Sequence, residues 1–297
     1  MYTQFFGNYL LANNYVTQEQ LFSAMQRQSG KHMKLGTLAI HAGYMTASEV
    51  DTVYIRQTHE DRKFGELAIE EGFLSNEQVI ELLKLQTPDF LTLGQVFLDD
   101  GILTNSEFEN ILADYRSQNE LVDLDMLIEE PDAVTKLFEN FLIVAETPIT
   151  HNGHMFTELL FNNLVRFIGE DYTPITVEEI TEFPVECCVK QEVKGAYSLN
   201  TYLAMDEETA IAFAFRYAEE EFESYDEYVQ ASLEDFLNLH NGLFIVNVSN
   251  DSSTELTIGA PEQIREPLLI FEHTTYHFPI LYTFGTVHMI MEAVKLD

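Results

Sequence analysis

Asp235 and Asn238 are an acid and an amide three residues apart, with Gly242 four positions further on. Residues i and i+3 share a helix face, so on a helix these two side chains point together into a partner. Glu234 stands next door and, at i to i+4, also shares a face with Asn238, but with the helix rotated differently. A second set is basic. Residues 27–63 hold Arg27, Lys31, Lys34, Arg56, Arg62 and Lys63 against Glu49, Asp51, Glu60 and Asp61, a local charge of +2. A phosphate ligand needs such an island, with backbone N–H groups at a helix start helping. His151-x-x-His154 offers two metal ligands without carboxylates at a defined spacing, which does not make a site. Walker A, GxGxxG and GxSxG motifs are absent, and with them the common NTPase, dinucleotide and hydrolase signatures.

The chain has 297 residues and a net charge of −35, from 50 acidic against 15 basic residues. At about 150 residues per domain, two domains are expected. A hydrophobic fraction of 46%, with 22 Phe and 14 Tyr, supplies packed cores and argues against disorder. The charge argues against binding duplex DNA, RNA or anionic membranes, which rests on Lys and Arg neutralising phosphates. The N-terminus has no basic region or cleavage site of a signal peptide, and no apolar run approaches a membrane span. Cys187 and Cys188 are neighbours in a strand-like stretch, where side chains alternate between faces, so a mutual disulfide is not expected. Reduced thiols fit a cytoplasmic protein.

The first half repeats with a period of 29. Gly7, Gly36, Gly65 and Gly94 are followed seven residues later by Asn14, Gly43, Gly72 and Gly101. Thr17, Thr46, Ser75 and Thr104 come ten after the first glycine; Gln20, Glu49, Gln78 and Glu107 come thirteen after it. Gly or Asn suits the left-handed residue that ends a helix. Ser or Thr with Glu or Gln three later is a capping box that opens the next one. Each unit therefore reads as a short helix, a tight turn and a longer helix, ending near Gln28, Gln57, Gln86 and Tyr115. One helix pair cannot bury its apolar face alone, whereas four stacked copies can.

The copies KLGTLAIHAGYMTASEVDTVYIRQ (34–57) and KFGELAIEEGFLSNEQVIELLKLQ (63–86) resemble the 24-residue motif of MshE-type N-terminal domains, found on type II secretion and type IV pilus ATPases. In that family two such motifs, five residues apart, bind cyclic di-GMP, and the gap 58–62 has that length. The resemblance assigns Lys34, Leu35, Gly36, Gly43 and Gln57 in one copy, and Lys63, Phe64, Gly65, Gly72 and Gln86 in the next, with Phe64 where the family has Leu. The first copy has Phe5 at the basic position and the last has Thr92, so the outer copies depart from the pattern. The glycines also have a purely structural reading, as turns and close helix contacts, and related domains serve as protein-docking modules.

Residues 119–133, NELVDLDMLIEEPDA, read as an acidic connector, giving a helical domain 1–116, a linker 117–135 and a second domain 136–297. Residues 1–120 hold eight basic and 17 acidic residues, a charge of −9; the remainder holds seven against 33, a charge of −26. The second domain reads as α+β with an antiparallel sheet. A helix is expected over Phe156–Ile168, strands over Ile175–Ile180, Val185–Val193 and Ser198–Met205, and a helix capped by Asp206 through Ala218. Another helix begins near Tyr225. Glu255–Ile258, Leu268–Glu272 and a long Ile280–Met291 stretch are strand candidates. Leu243–Val248, LFIVNV, carries the β-branched content of a strand.

The order of these features resembles the CheX/CheC chemotaxis phosphatase family. GAYSLNTYLAMDEETAIAFAFRYA (195–218) is similar to its Gly-led strand and acid-opened helix, TELTIGAPEQI (254–264) to its strand ending at a proline, and TYHFPILYTFGTVHMIMEA (275–293) to its terminal hairpin. The family signature is Glu-x-x-Asn with Gly four later. Asn238 and Gly242 have that spacing, with Asp235 in place of Glu. The resemblance continues the helix through LFIVNV, with Gly242 allowing close packing. It implies that the acid pairs with a lysine of a response-regulator receiver domain and that the Asn238 amide orients water for attack on phospho-aspartate. The chain then needs no cofactor of its own, since the receiver carries Mg2+. Aspartate is one methylene shorter than glutamate, and a misplacement of about 1 Å can cost about 100-fold. The expected partners are a receiver domain, cyclic di-GMP at the repeats, and a second copy through the CheX-like domain. The expectation is a signalling protein that binds and dephosphorylates a receiver. The alternatives are a non-enzymatic adaptor and a cyclic di-GMP-binding scaffold with a degenerate phosphatase domain.

Overall fold

The computed structural model describes residues 2–28, 32–85, 89–118, 141 and 150–295. The chain divides into two compact units, Met1–Leu137 and Phe138–Asp297. The acidic connector expected at 117–135 lies, from residue 119, outside the described residues.

The first unit is helical throughout its described residues: α1 (Tyr2–Ala12), α2 (Gln18–Gln28), α3 (Leu35–His41), α4 (Ala47–Gln57), α5 (Phe64–Glu70), α6 (Asn76–Leu82), α7 (Asp89–Asp99) and α8 (Asn105–Gln118). The turns between α1 and α2, α3 and α4, α5 and α6, and α7 and α8 contain Asn14, Gly43, Gly72 and Gly101, with φ of 57°, 68°, 77° and 67°. This is the left-handed region, which glycine enters freely and asparagine tolerates. After each turn the next helix opens on a reciprocal cap. The Thr46 hydroxyl accepts from the Glu49 backbone N–H and Glu49 accepts from that of Thr46; Ser75 and Gln78 do the same. Thr17 with Gln20, and Thr104 with Glu107, repeat the pattern.

The glycine that opens each pair has a steric reason. A Cβ on Gly36 would stand 2.8 Å from Val50 Cγ1, one on Gly65 would stand 3.2 Å from Val79 Cγ1, and one on Gly94 would run into the Phe108 ring. In each case the neighbour is the residue fourteen positions on, in the following helix. The first helix of each of these pairs therefore lies against the second at a distance that leaves little or no room for a side chain. Phe6, Phe90 and Tyr115 close the core edge to face, with ring centroids 5.3 Å (Phe6–Phe90) and 5.1 Å (Phe6–Tyr115) apart.

In the second unit the helices α9 (His151–Phe167), α10 (Glu207–Ala218) and α11 (Glu227–Ser252) accompany an antiparallel sheet. Its strands are β1 (Tyr172–Pro174), β2 (Glu178–Glu179), β4 (Cys187–Gly195), β5 (Ser198–Met205), β6 (Leu256–Ile258), β7 (Glu262–Ile264), β9 (Thr275–Tyr282) and β10 (Gly285–Lys295). They run in the order β1-β9-β10-β5-β4-β6, with β2 also on β9 and β7 also on β4. β3 (Glu182–Pro184) and β8 (Leu268–Ile270) form a separate two-stranded ribbon. An antiparallel sheet with long helices is thus what the residue pattern led one to expect.

The Asp206 carboxylate accepts from Thr209 N–H and starts α10 where the sequence predicted. LFIVNV lies wholly inside α11, so its β-branched content is overridden. Phe244 and Val248 are buried in the core, and Phe244 meets Phe156 of α9 edge to face at 5.3 Å. Burial of this face of α11 against α9 and the core settles the conformation, because local propensity differs by under about 1 kcal/mol per residue. Two strand expectations need correction. Ile280–Met291 is not one strand, since Thr283 and Phe284 form the tip of the β9–β10 hairpin. Ile175–Ile180 is strand only at Glu178 and Glu179. The cause lies across the ladder. Ile175 N–H donates to Pro279 O at 2.8 Å, and Pro279 has no N–H to return the bond, so pairing lapses between β1 and β2.

One face of the sheet carries the helices. The other carries Cys188, Tyr202, Ala204 and Ile290, with Phe271, Phe183 and Leu269 packed over them. Both cysteines are buried and free, on alternate sides of β4.

The glycine contacts make a stability prediction. Gly94→Ala drives a methyl into the Phe108 ring and should cost about 1–3 kcal/mol. Gly43→Ala meets nothing within 4 Å and should cost about 1–2 kcal/mol through its left-handed backbone alone. Thermal unfolding of the two variants measures both, and a neutral Gly94→Ala would contradict the packing account.

Candidate functional site

α11 spans Glu227–Ser252 and opens on Asp226, whose carboxylate accepts from the N–H groups of Tyr228 and Val229. Its inward face consists of Val229, Leu233, Phe236, Leu237, His240, Asn241, Phe244 and Val248, all buried. Phe236 meets Phe213 of α10 at 5.1 Å, and His240 meets Phe156 of α9 at 4.4 Å, both edge to face. Burial pushes the His240 imidazole down to about 3, so it is neutral where it bonds Asn163. With this face committed to the core, the opposite one is turned to solvent. Asp235 and Asn238 are both exposed and lie on that outer face, three residues apart.

The same outer stripe continues in both directions. Tyr228, 65% exposed, precedes the pair by two turns; Leu243 (39%) and Val246 (53%) follow it. Gly242 lies within the stripe. A Cβ there would meet nothing within 4 Å, so the close packing expected of Gly242 inside the chain is not found. What the glycine provides is a shallow place in an exposed surface.

Each member of the pair is held from outside the helix. The Tyr217 hydroxyl of α10 donates to Asp235 Oδ2 at 2.7 Å. Burial, reinforced by this hydrogen bond to a carboxylate, raises the Tyr217 pKa, so the phenol stays protonated and remains a donor. Asn238 Oδ1 accepts from Gln191 Nε2 at 2.8 Å. Gln191 lies on β4, opposite Thr201 of β5, and both point beneath α11. Asn241 Nδ2 donates to Gln191 Oε1 at 2.8 Å and to Thr201 Oγ1 at 2.7 Å. Glu234 is not an equivalent acid. It accepts from Gln263 Nε2 of β7 at 2.8 Å, which draws it toward the sheet and away from Asn238.

Gln191, Thr201 and Asn241 are 1%, 0% and 0% exposed. Asn241 Oδ1 is buried with no hydrogen-bond partner among the described residues. Such an orphan acceptor costs about 1–3 kcal/mol. The sequence reading did not single out these three residues. The signal was available: Gln191 and Thr201 occupy the apolar phase of strands whose neighbouring inward residues are Val189, Val193, Leu199 and Leu203.

In the first unit, the ends of the two middle motifs come together. The Gly36 position lies against Phe64, and the Gly65 position lies against Leu35, so Leu35-Gly36 and Phe64-Gly65 interlock. Lys34 and Lys63 each stand at the residue before a short helix. Lys34 Nζ pairs with Asp99 at 2.7 Å. Arg56 pairs with Glu60, Glu70 and Glu71, and Arg62 with Glu60, Glu66 and Glu70. Gln57 Nε2 donates to the Arg62 carbonyl at 2.9 Å. Gly43 and Gly72 are turn residues away from these helix starts. Gln86 lies outside the described residues. Much of the basic island is therefore ion-paired within the chain. Among the described residues no group of three or more His, Cys, Asp or Glu could hold a metal ion, and no helix is long and apolar enough to cross a membrane.

Gly242 yields a prediction here. Glycine inside a helix costs up to about 1 kcal/mol relative to alanine. Gly242→Ala has room for its methyl, so it should raise the unfolding free energy by about 0.5–1 kcal/mol, read from denaturant titration.

No family model matches the chain, and no curated protein matches it. Solved structures match its C-terminal half. A CheC-like superfamily protein from Shewanella sp. PV-4 is 15% identical, with a TM-score of 0.42, over 48% of this chain and 96% of its own. A chemotaxis protein CheX from Desulfovibrio desulfuricans is 11% identical, with a TM-score of 0.43, over 48% of this chain and 99% of its own. A chain from the CheX–CheY–BeF3–Mg2+ complex of Borrelia burgdorferi is 16% identical, with a TM-score of 0.38, over 48% and 96%.

Proposed function

We propose that the second unit binds a phosphorylated receiver domain along the outer face of α11 and hydrolyses its aspartyl phosphate. The observation that carries this reading is the exposed Asp235–Asn238 pair, each side chain held by one hydrogen bond from another element and flanked by Tyr228, Leu243 and Val246. The sequence resemblance to the CheX/CheC family supplies the roles. Asp235 pairs with a lysine of the receiver, Asn238 orients water, and the receiver's own Mg2+ neutralises charge on the phosphoryl group. The water oxygen forms a bond to phosphorus as the bond to the aspartate oxygen breaks. Inorganic phosphate and a free aspartate result, and the proton of the water leaves with the phosphate. A charge of −26 on this half of the chain suits a protein partner that offers basic groups far better than it suits nucleic acid.

The hydrogen bond from Tyr217 bears on the shorter acid. It fixes one carboxylate oxygen and leaves the other for a cation, so a short side chain is held instead of searching. Phosphate release from a phosphorylated receiver tests the reading. Asn238→Ala should lower the rate by about 100-fold or more, while Gly242→Ala, although more stable, should weaken receiver binding by filling the surface. An unchanged rate in Asn238→Ala removes the catalytic reading and leaves the non-enzymatic adaptor and the cyclic di-GMP-binding scaffold.

For the first unit we infer four copies of one helix pair serving as a docking module. Support comes from the 29-residue spacing of the left-handed turn residues and from the ion pairs that occupy Lys34, Arg56 and Arg62. Ile55, Ile80 and Leu83 are exposed on this unit and give a partner apolar contact. Cyclic di-GMP at the Lys34 and Lys63 helix starts is the other reading. Titration calorimetry separates the two. The docking reading expects no heat with cyclic di-GMP; heat that vanishes in Lys34→Ala with Lys63→Ala would assign the unit to nucleotide sensing.

A further inference from the structure

We infer that Gln191 is a positioning residue for Asn238, and that it turns the N–H edge of the Asn238 amide outward. The inference rests on the phosphatase reading for its consequence, but not for its geometry. Asparagine and glutamine oxygens and nitrogens are ordinarily assigned from their surroundings. Here two backbone carbonyls, whose polarity is beyond doubt, anchor the chain of bonds at both ends.

At one end, Gln191 donates through Nε2 to the Gly259 carbonyl at 2.8 Å. Reversing Gln191 would set its Oε1 2.8 Å from that oxygen, two acceptors in contact. At the other end, Thr201 Oγ1 donates its single proton to the Gln191 backbone carbonyl at 3.1 Å. The hydroxyl must then accept from Asn241, which places Nδ2 there and directs that same Nδ2 at Gln191 Oε1. Both ends give the same answer: Gln191 Nε2 spends one hydrogen on Gly259 and the other on Asn238 Oδ1. The oxygen of Asn238 therefore faces the protein and its two N–H donors face solvent.

The consequence for the site is specific. Oδ1 has two lone pairs, and one is taken by Gln191. The exposed edge of Asn238 therefore presents N–H donors, for a phosphoryl oxygen or for the oxygen of the attacking water. A freely rotating amide would present the opposite edge about as often. The buried triad is costly, since it leaves Asn241 Oδ1 unpartnered among the described residues, and apolar residues at the three positions would fill the same space under α11. What the triad supplies in return is one orientation of one exposed side chain.

The test uses the full chain. Side-chain NH2 resonances are assigned by NMR, with Asn238→Asp removing the Asn238 pair. In the wild type the Gln191 and Asn241 NH2 protons should be protected from exchange with water, and those of Asn238 should exchange freely while remaining ordered. Gln191→Met keeps the length but removes the donor; the Asn238 NH2 should become mobile, with kcat for phosphate release down about tenfold or more and KM unchanged. Gln191→Glu keeps the shape and also lacks the donor, and should not rescue. Protected Asn238 NH2 protons in the wild type, or unchanged Asn238 order in Gln191→Met, would overturn the inference. If Gln191→Met does not fold, the wild-type exchange pattern decides alone. If the wild type releases no phosphate yet the exchange pattern holds, the phosphatase reading fails and the positioning role stands.

Discussion

A glutamine amide in the apolar interior of a sheet has four hydrogen-bonding capacities and no water to satisfy them. Gln191 meets this constraint by reaching a strand-end carbonyl, a neighbouring buried amide and the exposed Asn238. Much of the second unit follows from it. The register of β4 on β5 must set Gln191 against Thr201, and α11 must cross both strands at the height of Asn241. Gly259, beside β6, must come close enough to receive the bond. Shifting β4 by one residue would turn Gln191 to the other face, which is lined by Cys188 and Tyr202.

The first unit is organised by a steric constraint instead. Glycines at 36, 65 and 94 bring each short helix onto the residue fourteen positions later. The same compactness brings acids from successive helices beside the basic residues, and Arg56 bridges from Glu60 to Glu70 and Glu71. A surface that looks basic in linear order is, in space, largely neutralised. The 29-residue period is therefore explained first as packing, whatever ligand or partner the unit receives.

Local chemistry was legible wherever a few adjacent residues decide the outcome. Asp206 had to cap a helix, because a carboxylate followed by two glutamates suits exposed N–H groups at a helix start. The Thr or Ser caps of the first unit needed only their own partner three residues on. Legibility failed where the deciding group is distant. Ile175–Ile180 looks like a strand until Pro279, more than ninety residues later, withholds a hydrogen bond. LFIVNV has the composition of a strand, and the helix that the family resemblance expected there is held by Phe244 and Val248, buried on α11 beside α9.

The sequence alone determined that an acid and an amide share one helix face, because helical geometry fixes i and i+3 wherever the helix lies. It also determined the turn positions, since a left-handed backbone selects Gly or Asn irrespective of neighbours. Tertiary structure decided which face is outside, by giving Phe236, Leu237 and Phe244 to the core, and it decided which acid belongs to the pair, by drawing Glu234 to Gln263. It also decided which edge of Asn238 meets solvent. That choice depends on a carbonyl twenty-one residues downstream and a glutamine forty-seven upstream, whose convergence is a property of the packed sheet and of no local segment.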